Sequence, residues 1–160
     1  MNLFWRILLW IGVSFLAAIV GGIGTSVGLG PWYESLNKPA LNPPNWVFAP
    51  VWTTLYTLMG TSMGLMDWLT ARGQDPSRNR QIKAIFLTQI VLNALWPLTF
   101  FAAGWFWLGL VIIVALECTI SLWIIKASRI SRLAAAMLIP YFCWVGFATY
   151  LNAALAWLNS

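Results

Sequence analysis

The sequence predicts an all-α integral membrane protein, a bundle of five transmembrane helices that forms one domain over residues 1–160. Hydrophobic residues make up 61% of the chain and charged residues only 8%, whereas charged residues are about a quarter of an ordinary soluble domain. A transmembrane helix needs roughly 20 apolar residues. The apolar runs here are continuous, while strands of a membrane barrel would alternate over segments of about ten residues.

The apolar runs place the spans at about 6–28, 45–69, 82–103, 105–126 and 133–157. The first run is too long for the apolar core of a signal peptide and has no small-residue cleavage site, so we interpret it as the first span. The first linker is the longest and is rich in glycine and proline. The third linker is expected to be a tight turn at Ala103–Gly104.

Basic residues predict the orientation. Five spans put the N-terminus, the second linker and the fourth linker on one side, with eight of the nine Lys and Arg residues, and Lys38 alone on the other. By the positive-inside rule the N-terminus is cytoplasmic, and the first linker and the C-terminus are outside. We expect the cytoplasmic membrane, with the outer membrane as the alternative. The net charge of +5 therefore sets topology, and no nucleic-acid partner is expected.

The chain has no histidine, which removes the usual general base, metal ligand and haem axial ligand. Cys118 and Cys143 both fall within predicted spans, where we expect small buried apolar side chains with no disulfide. We therefore expect no metal site and no obligatory cofactor. Nothing in the sequence indicates an acid–base pair or a nucleophile triad.

Aromatic residues recur along the second span. Phe48, Trp52, Tyr56 and Met59 are spaced by three or four residues, so they share a helix face. The face lines a ligand site or is simply bulk that meets lipid and neighbouring helices. Gly60-x-x-x-Gly64 permits close helix approach and is weak support for a homodimer, which is left open.

The third span carries Gln89, Asn93 and Trp96 on one face, followed by Pro97. Amides are costly to leave unpaired in a bilayer, so they should point into the bundle, as a cavity lining or as a link between helices. Pro97 should kink the helix or free a carbonyl group.

The last span places Tyr141, Trp144, Ala148 and Asn152 on one face. A small residue between aromatics leaves room for a ring, or it marks an ordinary helix crossing.

The first linker could hold a modest anion site. Asn42 can cap the second span with Pro43 at the first helical position, and Lys38 is nearby. The alternative is a proline-stiffened loop with interfacial aromatic residues. Glu117 lies near the middle of a span, where an ionisable group suggests a proton, ligand or interhelical role. Asp67 lies near a span end, where it can reach water or Arg72, so we expect a structural role.

Three runs, WYESLNKPALNPPNWVFAPVWTTLY, QIVLNALWPLTFF and IPYFCWVGFATYLN, closely resemble the TspO/MBR family of tryptophan-rich sensory and translocator proteins. The resemblance implies a five-helix membrane bundle, often a homodimer, with a ligand pocket under the first linker. It also implies binding of porphyrins such as protoporphyrin IX, of haem, and of cholesterol and benzodiazepine-type ligands.

Two departures from the family pattern stand out. Leu41 replaces a tryptophan that would help to cover the pocket, and no Lys or Arg follows Tyr150, so no sterol site is expected there. The matching pocket positions are Trp52, Asn93, Trp96, Tyr141, Trp144, Ala148 and Asn152, with Trp107 as a further aromatic resemblance.

We therefore expect a membrane receptor for tetrapyrroles, namely protoporphyrin IX or haem, and similar flat hydrophobic ligands, acting in porphyrin sensing, regulation or translocation. The guest would stack between Trp52, Trp96 and Trp144. The alternative is a light-dependent porphyrin-degrading enzyme that uses Trp52 and Trp144; a transporter is the third candidate. The expected ligand-binding residues are the matching positions above with Trp107, Tyr56 and Lys38.

Overall fold

A computed structural model describes residues 1–159, and these residues form helices and no strands. Five helices are long, each of 20 residues or more. Together with two five-residue helices, the elements in chain order are α1 (Leu3–Gly28), α2 (Pro31–Ser35), α3 (Phe48–Arg72), α4 (Pro76–Pro97), α5 (Phe106–Ser128), α6 (Arg132–Ala136) and α7 (Ile139–Leu158). The all-helical class that the sequence predicted is confirmed.

Four segments within residues 1–159 are long and apolar enough to cross a membrane, which supports a multi-pass membrane protein. They are Leu3–Gly28, Pro76–Ala102, Phe106–Ser128 and Arg132–Leu158. Helix α3 is not among them, so length and composition support four crossing helices where we expected five. Its polar residues include Thr53 and Thr57, whose hydroxyl groups donate to the carbonyl oxygens four residues earlier, at 2.8 and 2.9 Å.

Local capping moves the helix boundaries away from the edges of the apolar runs. Helix α4 begins at Pro76, six residues before the predicted span, because the Asp75 carboxylate accepts from the Arg78 backbone N–H at 3.0 Å. The last predicted span is divided, since Ser131 caps the short helix α6 and α7 begins one residue before Pro140. Helix boundaries therefore depend on polar capping residues as well as on hydropathy, and these residues can extend a helix beyond its apolar run or divide the run into two helices.

Helices α1 and α3 pack closely through Gly60 and Gly64. A Cβ atom on either glycine would overlap the backbone of Ile11 or Ile7 of α1. The GxxxG pattern therefore mediates packing between two helices of the same chain, so it no longer supports a homodimer.

Asp67 joins the same ends of α1, α3 and α4. Its buried carboxylate forms ion pairs with Arg6 at 2.6 Å and Lys83 at 2.8 Å. It also accepts hydrogen bonds from Trp10 and Asn79. The structural role expected of Asp67 is therefore confirmed, but its partners are Arg6 and Lys83 and not Arg72. The Arg72 guanidinium instead lies 4.7 Å from the Trp68 ring centroid.

Both cysteines are free, and both are exposed on the surface of the bundle. The expectation that Cys118 and Cys143 would be buried is therefore wrong. In a membrane protein an outward face is as apolar as the core, so a small apolar side chain gives no signal about the side on which it lies.

The connection between α4 and α5 confirms the predicted turn. The α-helix ends at Pro97, a π-helical turn follows over Leu98–Ala102, and Gly104 adopts φ of 68°. A residue with a side chain would be strained at this φ, and a Cβ there would also lie 3.2 Å from the Trp32 ring.

An apolar cavity between α1, α3 and α4

A cavity of about 380 Å³ lies between α1, α3 and α4 on the side of the first linker. It lies beyond the close contact at Gly60 and Gly64, because its α3 wall runs from Phe48 to Tyr56. The α1 wall contains Ala18, Gly21, Gly22 and Thr25, whose small side chains leave the space open. The remaining lining residues are Phe15, Ser26, Leu29, Asn45, Ala49, Trp52, Thr53, Asn93, Trp96, Pro97 and Phe101.

Aromatic rings form much of the cavity wall. Trp52 stacks on Tyr56 with ring centroids 5.4 Å apart, and Phe15 of α1 lies 5.9 Å from Tyr56. Trp96 stacks on Phe100 at 5.5 Å, which fixes its orientation. Rings held by neighbouring rings offer a flat guest a preformed stacking surface.

A chain of hydrogen bonds lies at the deep end of the cavity. The Tyr56 hydroxyl donates to Asn93 Oδ1 at 2.5 Å, Asn93 Nδ2 donates to the Tyr141 hydroxyl oxygen at 2.8 Å, and the Tyr141 hydroxyl donates to Gln89 Oε1 at 2.8 Å. All four side chains are buried. The inward orientation predicted for Gln89 and Asn93 is confirmed, and the chain links α3, α4 and α7.

A second polar link fixes Trp96 in the wall. Its Nε1 donates to Asn152 Oδ1 at 2.9 Å, and Asn152 Nδ2 donates to the carbonyl oxygen of Phe106 at 2.9 Å. Gly109 lies against Asn152, where a Cβ would come within 3.0 Å of the amide oxygen. Asn152 therefore lies behind the wall and positions a wall residue.

The structure separates the residues that the sequence grouped as a pocket. Trp52, Tyr56, Asn93 and Trp96 line the cavity that residues 1–159 form; the others lie outside its wall. These others are Lys38, Trp107, Tyr141, Trp144, Ala148 and Asn152.

Trp144 is half-buried and packs edge to face on Phe48 of the wall, with ring centroids 5.9 Å apart. Ala148 is buried in the core, and Trp107 is exposed. The ligand contacts and the photochemical role that the family resemblance implied for these positions stay predictions.

The first linker is held over this end of the bundle by Tyr33. Its ring lies 5.5 Å from Phe101 in the cavity wall, and its hydroxyl donates to Asn42 Oδ1 at 3.0 Å. Burial raises the pKa of Tyr33, and the hydrogen bond to Asn42 opposes that shift only in part. Asn42 is therefore engaged within the linker, and the prediction that it caps the second span is wrong.

The start of α3 also differs from the prediction. A 3-10 turn over Asn45–Val47 precedes the α-helix, so Pro43 is outside the helix. The Lys38 ammonium lies 4.6 Å from the Tyr33 ring centroid. Lys38 thus packs on the linker and does not line the cavity.

The first linker is also hydrogen-bonded to Asn159, at the end of α7. Asn159 Nδ2 donates to the Asn37 carbonyl oxygen at 3.0 Å, and the Asn37 backbone N–H donates to Asn159 Oδ1 at 2.9 Å. These two bonds tie the linker to the end of α7, so the linker has a defined position over the bundle.

Glu117 of α5 lies against Gly146 of α7. Its Oε2 atom is buried and has no hydrogen-bond partner within residues 1–159, so this oxygen makes no interhelical hydrogen bond in the chain. A proton or ligand role for Glu117 stays a prediction.

The α1 wall did not follow from the sequence. Its signal is the cluster of small residues in AAIVGGIG, residues 17–24, which is equally typical of an ordinary apolar span. Small residues on a membrane helix mark close packing or a cavity, and hydropathy does not distinguish the two.

The wall of the cavity contains no charged residue, and residues 1–159 hold no group of three or more potential acidic, cysteine or histidine metal ligands. Its chemistry is therefore that of a binding site: it offers apolar area, stacking surfaces and a few uncharged polar side chains, among them Tyr56 and Asn93. A guest held there would gain chiefly from burial and shape.

A sequence profile of the TspO/MBR family matches residues 10–158. The "Tryptophan-rich protein TspO" of Chlorobaculum tepidum is 36% identical and covers 94% of both chains. The "Tryptophan-rich sensory protein" of Cereibacter sphaeroides is 31% identical, over 99% of this chain and 95% of that protein. The human "Translocator protein" is 37% identical, over 76% of this chain and 70% of that protein.

Proposed function

Because this chain belongs to the TspO/MBR family, we propose that it is a membrane receptor that binds a flat hydrophobic ligand of the tetrapyrrole class, such as protoporphyrin IX or haem, in the cavity between α1, α3 and α4. The observation that carries the proposal is an uncharged cavity of about 380 Å³ with Trp52 and Trp96 in its wall. The names of two relatives, a sensory protein and a translocator protein, support a role in sensing or translocation, and we propose that the ligand sensed, regulated or moved is the tetrapyrrole.

The apolar wall is sufficient for useful affinity. Burying about 300 Å² of apolar guest surface at roughly 25 cal/mol/Å² contributes about 7 kcal/mol before ordering costs. Stacking on Trp52 adds about 0.5–1.5 kcal/mol. Metal coordination is not required for micromolar binding, so haem and the metal-free porphyrin should bind alike. Carboxylates of the guest would remain near the linker, toward Lys38 and water.

The proposal includes five membrane spans, with α3 as the second. The hydroxyl groups of Thr53 and Thr57 are satisfied by their own helix, which lowers the cost of placing α3 in lipid. The basic residues then place the N-terminus in the cytoplasm and the cavity on the outer side of a cytoplasmic membrane.

The direct test is a titration of the purified protein with protoporphyrin IX, followed by quenching of tryptophan fluorescence. Ala18→Phe puts a ring into the cavity from α1 and should weaken binding at least tenfold. The matched control, Ala115→Phe, changes an exposed position on α5 and should change the Kd less than twofold. Equal affinity in all three proteins would overturn the proposed site.

A further inference from the structure

The hydrogen-bond chain beneath the cavity has a direction. Each donor from Tyr56 through Asn93 to Tyr141 points away from the cavity, and the chain ends on Gln89 Oε1. Gln89 is fully buried, and its Nε2 has no hydrogen-bond partner within residues 1–159. The observed direction therefore leaves a buried donor unpaired at the far end, which is the rarer and costlier kind of defect.

The same side chains support the opposite direction. The oxygen and nitrogen ends of an amide are nearly equal in shape, and a hydroxyl group both donates and accepts. If the amides of Asn93 and Gln89 turn over, Gln89 donates to Tyr141, Tyr141 donates to Asn93, and Asn93 donates to Tyr56. The number of hydrogen bonds within the chain is unchanged.

The two directions differ at the cavity. In the observed direction the Tyr56 proton is committed to Asn93, so its oxygen can only accept from a guest. In the reversed direction the Tyr56 proton is free and its oxygen already accepts from Asn93 Nδ2, so the hydroxyl acts toward a guest as a donor. The hydroxyl protons of Thr25, Ser26 and Thr53, also in the wall, are committed to carbonyl oxygens of their own helices, so they compete weakly.

We propose that the Tyr56 hydroxyl forms a hydrogen bond with one polar atom of an otherwise apolar guest. Gln89 lies outside the cavity wall, but it sets the direction of the hydrogen-bond chain and thereby determines whether Tyr56 accepts from the guest or donates to it. The guests are flat ring systems that present one N–H donor or one carbonyl acceptor to Tyr56, whatever polar groups they carry at the linker end. The inference rests on the proposed function, because it needs the cavity to hold an apolar guest. Gln89 and Tyr141 act as positioning residues.

Three tricyclic compounds of nearly equal shape test the proposal: carbazole carries an N–H donor, fluorenone a carbonyl acceptor, and fluorene neither. Binding to the full chain in detergent is measured by isothermal titration calorimetry. In the wild-type protein the hydrogen bonds can run in either direction, so Tyr56 can accept from carbazole or donate to fluorenone. Each of these compounds should therefore bind roughly fivefold more tightly than fluorene.

Gln89→Met removes the acceptor at the far end of the chain. The Tyr141 proton must then turn to Asn93, which fixes the reversed direction and frees the Tyr56 proton. The advantage of carbazole over fluorene should disappear, while that of fluorenone is kept. A purely structural effect of Gln89 would weaken all three compounds alike.

Tyr141→Phe gives an independent test should Gln89→Met fail to fold. It removes the acceptor for Asn93 Nδ2, which then turns to Tyr56, and the same loss of the carbazole advantage is expected. Tyr56→Phe should remove both advantages. Ser62→Ala is the control, since Ser62 is buried on α3 but donates to the Ala134 carbonyl oxygen, and it should leave both advantages intact.

The outcomes separate the two proposals. If the three compounds bind but Gln89→Met and Tyr141→Phe keep the wild-type order of affinities, the directional chain is overturned and the binding cavity stands. If none of the three compounds binds and protoporphyrin IX also fails to bind, the cavity is overturned as a site, and the directional chain with it.

Discussion

Single polar residues decide how the helices of this chain are joined. Asp67 of α3 is the clearest case, because its buried carboxylate forms ion pairs with Arg6 of α1 and Lys83 of α4. A charge removed from water is tolerated only when its partners are present. The cost of losing Asp67 is therefore the cost of leaving two cations without their carboxylate.

We expect Asp67→Asn to lower the free energy of unfolding by about 2–3 kcal/mol, at the lower end for buried pairs because Arg6 and Lys83 are partly exposed. Denaturant unfolding in detergent followed by circular dichroism measures the change. The control is Asp75→Asn, which keeps the helix cap and should change stability by less than about 0.5 kcal/mol. Equal losses in the two variants would contradict this account of Asp67.

Which residue positions could be predicted from the sequence depended on the polarity of the side chain. The inward positions of Gln89 and Asn93 could be predicted because an unpaired amide in lipid is costly. The side faced by Trp144 or Cys143 could not, because lipid and protein core are equally apolar. The structural role of Asp67 could be predicted, but its partners could not, because Arg6 and Lys83 are distant from it in sequence.

At the scale of helices, the contact between α1 and α3 determines where the cavity can form. The two helices touch at Gly60 and Gly64, and the cavity lies between their linker-side ends. The spans themselves followed from apolar run length, while the helix starts depended on caps such as Asp75. The α1 wall could not be predicted, because a helix that is apolar on all faces does not reveal which face lines a void.

Gly60→Ala should destabilise the protein by about 1–3 kcal/mol, because the added methyl group overlaps the backbone of Ile11 and forces α1 and α3 apart. Gly12→Ala is the matched control on α1, since nothing lies within 4 Å of its Cβ position. It should be neutral or stabilise by up to about 1 kcal/mol. Thermal unfolding in detergent compares the two, and a Gly60→Ala protein as stable as Gly12→Ala would refute the close contact.

For the whole molecule, the proposed position of the cavity at the outer side of the membrane depends on whether α3 crosses the membrane. If it does, the first linker and the loop between α3 and α4 lie on opposite sides; if it does not, they share a side. The two cysteines are exposed, so labelling begins from a chain with Cys118→Ala and Cys143→Ala.

In that background, Leu41→Cys should react in intact cells with a membrane-impermeant maleimide, and Gln74→Cys should react only after permeabilisation. Both positions are exposed in the structure, so burial does not limit the reaction. Labelling of both positions from the outside would show that α3 does not cross, and the reverse pattern would invert the orientation inferred from the basic residues.

A crystal structure of the protein with zinc protoporphyrin, in which anomalous scattering locates the metal, tests the proposed binding site most directly. We expect one zinc position inside the cavity between α1, α3 and α4, with the macrocycle against Trp52. A zinc position on the outer face of α5 and α7, with the cavity empty, would contradict it.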